Sequence, residues 1–230
     1  MKRLVLKKGV EKDNISIIHV LAKEESIEKQ VIKRGDKFSE LKGKLVITYM
    51  GNLGRIHSIS EIKDLIKMVN ENGYADRCCF VFVIRGVKEQ NLRTFVSESI
   101  YNNVHFYGYL DDPEYNSLLM ATHFQLITLS SEFNGISVPS KFFAGLYSGT
   151  PTIYFGPKSS EIYQLIEELG AGLCFENNNA KDCFKKMAMF IEGDSDSFGK
   201  SKKSLIELYN NIYSSSILAT KYQNLIESVQ

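Results

Sequence analysis

Six times between Leu45 and Glu176 a short apolar run gives way to a helical stretch, and that alternation leaves few folds open. The runs are Leu45–Met50 (LVITYM), Cys79–Gly86 (CFVFVIRG), Asn103–Gly108 (NVHFYG), Phe124–Leu129 (FQLITL), Thr152–Phe155 (TIYF) and Ala171–Glu176 (AGLCFE). Between them the apolar positions switch to helical spacing, as in Ser58–Glu71, where Ile62, Leu65, Ile66 and Val69 share one face and Asn72-Gly73 closes the helix. Further helices are expected near Lys88–Ile100, over DDPEYNSLLMAT with Asp111 or Asp112 as cap and Pro113 in the first turn, and over Ser159–Gly170. From Asn179 to Gln230 the chain reads as helical with a break at Gly193–Gly199. Each crossover helix returns the chain right-handedly to a neighbouring strand, so the sheet is parallel and covered on both faces. The fold class is α/β, a doubly wound, Rossmann-like sheet with C-terminal helices.

A parallel sheet of this kind binds ligands outside the C-terminal ends of its strands. The loops Gly51–Arg55, Gly86–Lys88, Gly108–Asp111, Ser130–Ser140 and Phe155–Ser160 should therefore line one crevice.

The richest of these is Ser130–Pro157, SSEFNGISVPSKFFAGLYSGTPTIYFGP. Asn134-Gly135 supplies turn chemistry, Pro139 is expected to start a helix, and Phe142, Phe143, Leu146 and Tyr147 give that helix its apolar face up to Gly149. Free N–H groups around Gly135–Ser140, including Ile136, Ser137 and Ser140, would point into the crevice as a phosphate cradle. Ser137 and Ser140 can either cap the helix or bond a phosphate or ribose. Lys141 stands in the first turn, where the macrodipole disfavours a cation, as though an anion were to be met there. Glu132 is either a solvated loop acid or an acceptor for sugar hydroxyls. At the first strand-to-helix turn, Gly51, Gly54 and Arg55 can bring backbone and a fixed cation to a diphosphate, although Gly51 can equally serve a tight turn. GNLG matches neither the dinucleotide fingerprint nor the Walker pattern, and Arg85-Gly86 stands where a dinucleotide fold places an acid. His57 is a candidate phosphate contact, whereas His105 and His123 read as structural.

Composition narrows the function classes. Hydrophobic residues make up 43% and charged residues 24% of the 230-residue chain, as in an ordinary soluble domain. A net charge of +1 leaves no nucleic-acid footprint. Five Lys or Arg in the first twelve residues suit either a solvated helix face or an anionic surface. No apolar run approaches a bilayer's thickness, and MKRLVLKKGVEKD never reaches the apolar core of a secretory signal. Cys78, Cys79, Cys174 and Cys183 show no C-x-x-C spacing, which argues against a disulfide or zinc framework and for a reducing cytoplasm. Met1–Val20 reads as a helix stopped at Gly9 and a short strand, ISIIHV, and Leu21–Lys44 as a linker or exposed helix.

Four segments, YMGNLGRIHSISEI, NVHFYGYLDDPEYNSLLMATHFQLITLSSE, NGISVPSKFFAGLYSGTPTI and GPKSSEIYQLIEELGAGL, resemble the C-terminal, donor-binding half of GT-B fold retaining glycosyltransferases of group 1. The VPSK variant is similar to a subgroup from bacterial surface-polysaccharide synthesis. The resemblance implies two parts: residues 1–44 as a remnant of the N-terminal half plus linker, and 45–230 as the nucleotide-sugar domain. It places the donor diphosphate on Gly51, Gly54 and Arg55, and the base on Tyr109 and Leu110. It places the donor hexose near Glu132, the first acid of the family's Glu-x7-Glu hallmark. Ser140 stands at the second acid, so Ser140 or Lys141 would take over the ribose or phosphate contact. No cofactor is implied beyond the donor, a UDP-sugar rather than a GDP-sugar. The implied partners are a glycan or lipid-linked acceptor and an N-terminal acceptor domain or subunit, at a cytoplasmic site that allows peripheral contact with the inner face of the membrane. A non-catalytic nucleotide-sugar-binding or assembly subunit is the alternative.

Overall fold

The computed structural model describes residues 2–19, 22, 36–193 and 199–229. Six strands form one sheet: β1 (Leu45–Asn52), β2 (Cys78–Arg85), β3 (Val104–Tyr107), β4 (Phe124–Thr128), β5 (Thr152–Phe155) and β6 (Gly172–Phe175). Every pairing is parallel, in the order β3-β2-β1-β4-β5-β6. The order reverses between β1 and β4, where Ile47 stands opposite Phe124, and beyond such a reversal a parallel sheet ordinarily binds its ligands.

Leu45–Tyr49 is buried on both sides, which explains its unbroken apolar run. On one face lie α2 (Ser60–Glu71), α3 (Glu89–Ser99) and α7 (Ala180–Ile191), whose Ile62, Leu65, Leu92, Cys183 and Met187 join Ile47, Phe80 and Leu126 in the larger core. The other face is covered by α4 (Asp112–Ala121), α5 (Lys141–Ser148), α6 (Glu161–Leu169) and α8 (Lys202–Ile212). A last helix, α9, spans Ser215–Val229. Helix α4 begins with the expected cap: Asp111 accepts from the Glu114 amide at 2.9 Å, and the Asp111 amide donates to Glu114 Oε2 at 3.2 Å. Helix α5 lies close on β4 because residue 145 is glycine; a Cβ there would come within 1.7 Å of Gln125 Nε2.

Three expectations change. Helix α1 (Lys2–Lys7) forms and stops at Gly9 with φ +87, but residues 15–19 form no strand. Among the described residues they pair with no strand of the sheet; instead, the His19 ring meets Phe143 at a tilt and Tyr213 edge-on, and lies 3.5 Å from Glu161. Pro139 sits just before the N-cap residue Ser140 and is not the first helical residue. The segment GNLGR is only partly a loop, because β1 runs on to Asn52 through backbone bonds to β2. The expected linker lies largely outside the described residues; within it, Asp36–Leu41 forms 3-10 turns.

Candidate functional site

Two loops meet at the β1/β4 reversal. Beyond β1, Leu53 donates to the Arg85 carbonyl at 2.7 Å, and Lys88 Nζ binds the carbonyls of Arg55 and His57. These bonds stitch the Gly51–His57 turn to the start of α3. Beyond β4, Ser130 donates to the Ile56 carbonyl at 2.8 Å, which ties the second loop to the first.

That second loop contains the predicted cradle. Glu132 lies exposed in a 3-10 turn, Ser131–Phe133, directly after β4. Gly135 takes φ +79, the left-handed turn expected of Asn-Gly. The Ile136 amide is already used, donating to Phe133 at 3.2 Å within that turn, so Ile136 brings only an exposed side chain. Among the described residues nothing accepts from the N–H groups of Gly135, Ser137, Val138, Ser140 or Lys141. Ser140 makes no side-chain cap, so its exposed hydroxyl is available to a ligand. Leu4 of α1 would lie 3.5 Å from a Cβ on Gly135, so the N-terminal helix borders the cradle.

Lys141 is the unusual residue of the site. It starts on α5, against one face of the sheet, yet its Nζ lies 3.6 Å from the ring centroid of Tyr49, whose side chain belongs to the opposite core. The amine therefore crosses the sheet edge at the β1/β4 reversal. The Lys141 residue as a whole is only half-buried, but its Nζ is shut off from solvent and has no hydrogen-bond partner. A desolvated cation over an aromatic face gains about 2 kcal/mol. Taking an ammonium out of water costs several kcal/mol, so desolvation wins. Burial accordingly pushes the Lys141 amine down to about 7.

His57 is not the cationic phosphate contact its position suggested. It is buried, stands edge-on to Tyr49 at 5.8 Å, and its Nδ1–H donates to the Thr128 carbonyl at 2.6 Å. Burial first, and then the nearby Lys141, push its pKa down to about 4, so the ring is neutral at pH 7. Its role is to tie β4 to the β1 turn.

Gly51 has φ +118 with open space beside it, and Gly54 and the exposed Arg55 follow at the rim. Tyr109, beyond the edge strand β3, is 90% exposed, as a stacking residue must be. Leu110 points inward instead and joins Val46, Val81 and Leu118 in the core, so only its backbone can meet a base.

The sequence reading missed Tyr49 and Glu61. Tyr49 is hidden in a strand pattern where an aromatic is ordinary. Glu61 had a visible signal, an acid beside Ile62 and Leu65 on the buried face of α2, and it proves to be 1% exposed.

No protein-family model matches the chain. It is 27% identical over 168 residues to the probable glycosyltransferase WbjE of Pseudomonas aeruginosa, covering 73% of this chain and 41% of that protein. Among solved structures it is similar to S. aureus TarM in complex with fondaparinux, alpha-GlcNAc-glycerol and UDP, with TM-score 0.69 and 15% identity over 97% of this chain and 41% of that one. It is similar to WaaG, a glycosyltransferase involved in lipopolysaccharide biosynthesis, with TM-score 0.68 and 10% identity over 93% of this chain and 56% of that one. It is also similar to the C-terminal domain of the group 1 glycosyl transferase LpcC of Francisella tularensis, with TM-score 0.57 and 17% identity over 75% of this chain and 88% of that domain. The shared architecture is the Rossmann-like domain of GT-B glycosyltransferases. The chain spans about two fifths of the length of the curated relative it matches.

Proposed function

We propose that this chain is the donor-binding half of a retaining glycosyltransferase. It would move a hexose or N-acetylhexosamine from a UDP-sugar to a glycan or lipid-linked acceptor. The observation that carries the reading is the conjunction at the α5 start of open backbone amides with an enclosed, unpartnered lysine amine, at the one reversal point of the sheet. The UDP in the TarM complex supports the choice of donor, and the likeness to a probable glycosyltransferase supports the reaction class.

During transfer the bond from the sugar's anomeric carbon to the diphosphate breaks, a bond from that carbon to the acceptor oxygen forms, and the acceptor hydroxyl loses its proton. Negative charge grows on the departing diphosphate. Amides and cations aimed at that charge lower the barrier. In this reading the amides of Gly135, Ser137 and Ser140 with Lys141 meet one phosphate, and Gly51, Gly54 and Arg55 meet the other. Tyr109 and the Leu110 backbone take the base, Ser140 bonds the ribose, and Glu132 accepts from the hexose hydroxyls. An N-terminal acceptor domain or subunit would supply the second wall that encloses the reacting centre. The basic, partly apolar start of the chain suits peripheral contact with the inner face of the membrane.

Calorimetric titration of UDP, GDP and UDP-N-acetylglucosamine into the purified chain tests this. UDP and its sugar are expected to bind more tightly than GDP, and no heat from any of them removes the donor reading. A non-catalytic binding subunit is the second reading, favoured by Ser140 in place of the hallmark's second Glu; binding without turnover when an acceptor half is supplied would select it.

A further inference from the structure

Lys141 carries one step further. Its Nζ has no acceptor in the resting structure, and among the described residues no carboxylate pairs with it. The groups facing it are known from each packed element. From β1 comes Tyr49, whose ring face it touches and whose hydroxyl is kept neutral because burial raises its pKa. From the β1 turn comes His57, neutral and bonded through Nδ1 to Thr128. Behind that turn Lys88, bonded to the His57 carbonyl, adds a further positive charge beside His57 and no compensating negative one. On its own helix, the α5 N-terminus adds positive potential. Nothing around the amine rewards a charge until an anion arrives.

We propose that Lys141, enclosed and unpaired, gives up its proton readily in the free chain and is held in its charged form once a diphosphate enters, so that above neutral pH donor binding is coupled to proton uptake. This deepens the donor-site reading and rests on it. The resting amine titrates near 7. A phosphate within hydrogen-bond reach favours the charged form and raises that value in the complex. The sign follows from linkage: affinity is full below pH 7 and falls as pH rises, because each binding event must then draw a proton from solvent. Both phosphates of a UDP-sugar stay ionised over this range, and the uracil N3–H begins to ionise only at its alkaline end, so between pH 6 and pH 8 the ligand adds no titration of its own.

The test uses the full chain and UDP-N-acetylglucosamine. Calorimetry at pH 8 in two buffers of different ionisation enthalpy should show uptake of roughly half to one proton per ligand. Wild-type affinity should fall roughly tenfold from pH 6 to pH 8, following the protonated fraction of the free amine. Lys141→Arg holds its charge throughout, so whatever affinity it retains should be flat with pH and free of proton uptake; Lys141→Met should likewise lose both. Donor binding by the wild type with no proton uptake and no pH dependence overturns the coupling and leaves the donor reading standing. A pH dependence that survives in Lys141→Arg also overturns it, because another group would then be titrating. Absence of nucleotide binding at every pH from 6 to 9 removes the donor reading, and the coupling with it.

Discussion

The carboxylate of Glu61 accepts from Asn177 Nδ2 at 3.1 Å, and Asn177 also donates to the Leu129 carbonyl at 3.2 Å and accepts from Ser131 Oγ at 2.8 Å. One buried acid on α2 thus holds the loop after β6, and that loop holds the turn bearing Glu132. The Asn178 amide donates to the same carboxylate at 3.0 Å. Burial alone would raise the Glu61 pKa, but hydrogen bonds from the Ser58–Ser60 pair, its own amide, Asn178 and Asn177 together lower it. A lowered folded pKa contributes stability that is present above the ordinary carboxylate value and lost as pH falls through the folded one. Glu61→Ala should destabilise the domain by roughly 1–3 kcal/mol at pH 7, because it leaves buried donors unmatched. The deficit should shrink below about pH 4 as the wild-type carboxylate protonates. Urea unfolding at the two pH values checks this, and an unchanged deficit would mean the hydrogen bonds are not what the acid contributes.

Gly145 offers a packing test. A methyl there would meet Gln125 Nε2, which donates to Thr152 Oγ1 at 2.8 Å inside the sheet. Gly145→Ala should force that amide aside or lift α5 from β4, at a cost of about 1–3 kcal/mol. Helix propensity pulls the other way by at most about 1 kcal/mol, so net destabilisation is the expected sign. Thermal melts decide it.

These two sites mark how far the sequence could be read. Strand and helix alternation from Leu45 onward, a helix cap at Asp111 or Asp112 and the Asn-Gly turn at Gly135 all rest on local rules, and each appears in the structure, the cap as Asp111. The run Ile15–His19 satisfies the same local rules for a strand yet forms none; a strand also needs a partner, and ring contacts to Phe143 and Tyr213 hold His19 away from both edge strands. Lys141 was legible as a cation misplaced against a helix dipole. Its contact with Tyr49 was not, since the two residues stand far apart in sequence and meet only because the sheet order reverses between β1 and β4.

Tyr109 and Leu110 are neighbours with opposite fates, which separates binding from stability. Tyr109→Ala removes an exposed ring and should leave the melting temperature unchanged while weakening UDP binding. A stacked base contributes about 1–3 kcal/mol, hence a loss of roughly five- to hundredfold. Leu110→Ala should do the reverse, costing roughly 2–4 kcal/mol of stability through a cavity beside Val46 and Leu118. Paired melts and titrations check both, and a stability loss in Tyr109→Ala would contradict its exposure.

Lys141→Met tests whether the crevice is held at the expense of stability. The amine's pKa falls from 10.5 to about 7 on folding, a cost by linkage of at most about 5 kcal/mol. Below pH 7 the amine is charged in both states and the whole penalty is present. From pH 7 to 10.5 the unfolded chain binds more protons than the folded one, so wild-type stability rises with pH. Methionine fills a similar volume with no charge to desolvate and keeps a favourable contact with the Tyr49 ring. The variant should therefore be more stable than the wild type at pH 7 by roughly 2–4 kcal/mol, with the difference closing toward pH 10. Urea midpoints measured across that range give both the sign and the slope. A wild type that outlasts Lys141→Met at pH 7 would mean that the amine has a partner in solution, and that the crevice is not waiting for an anion.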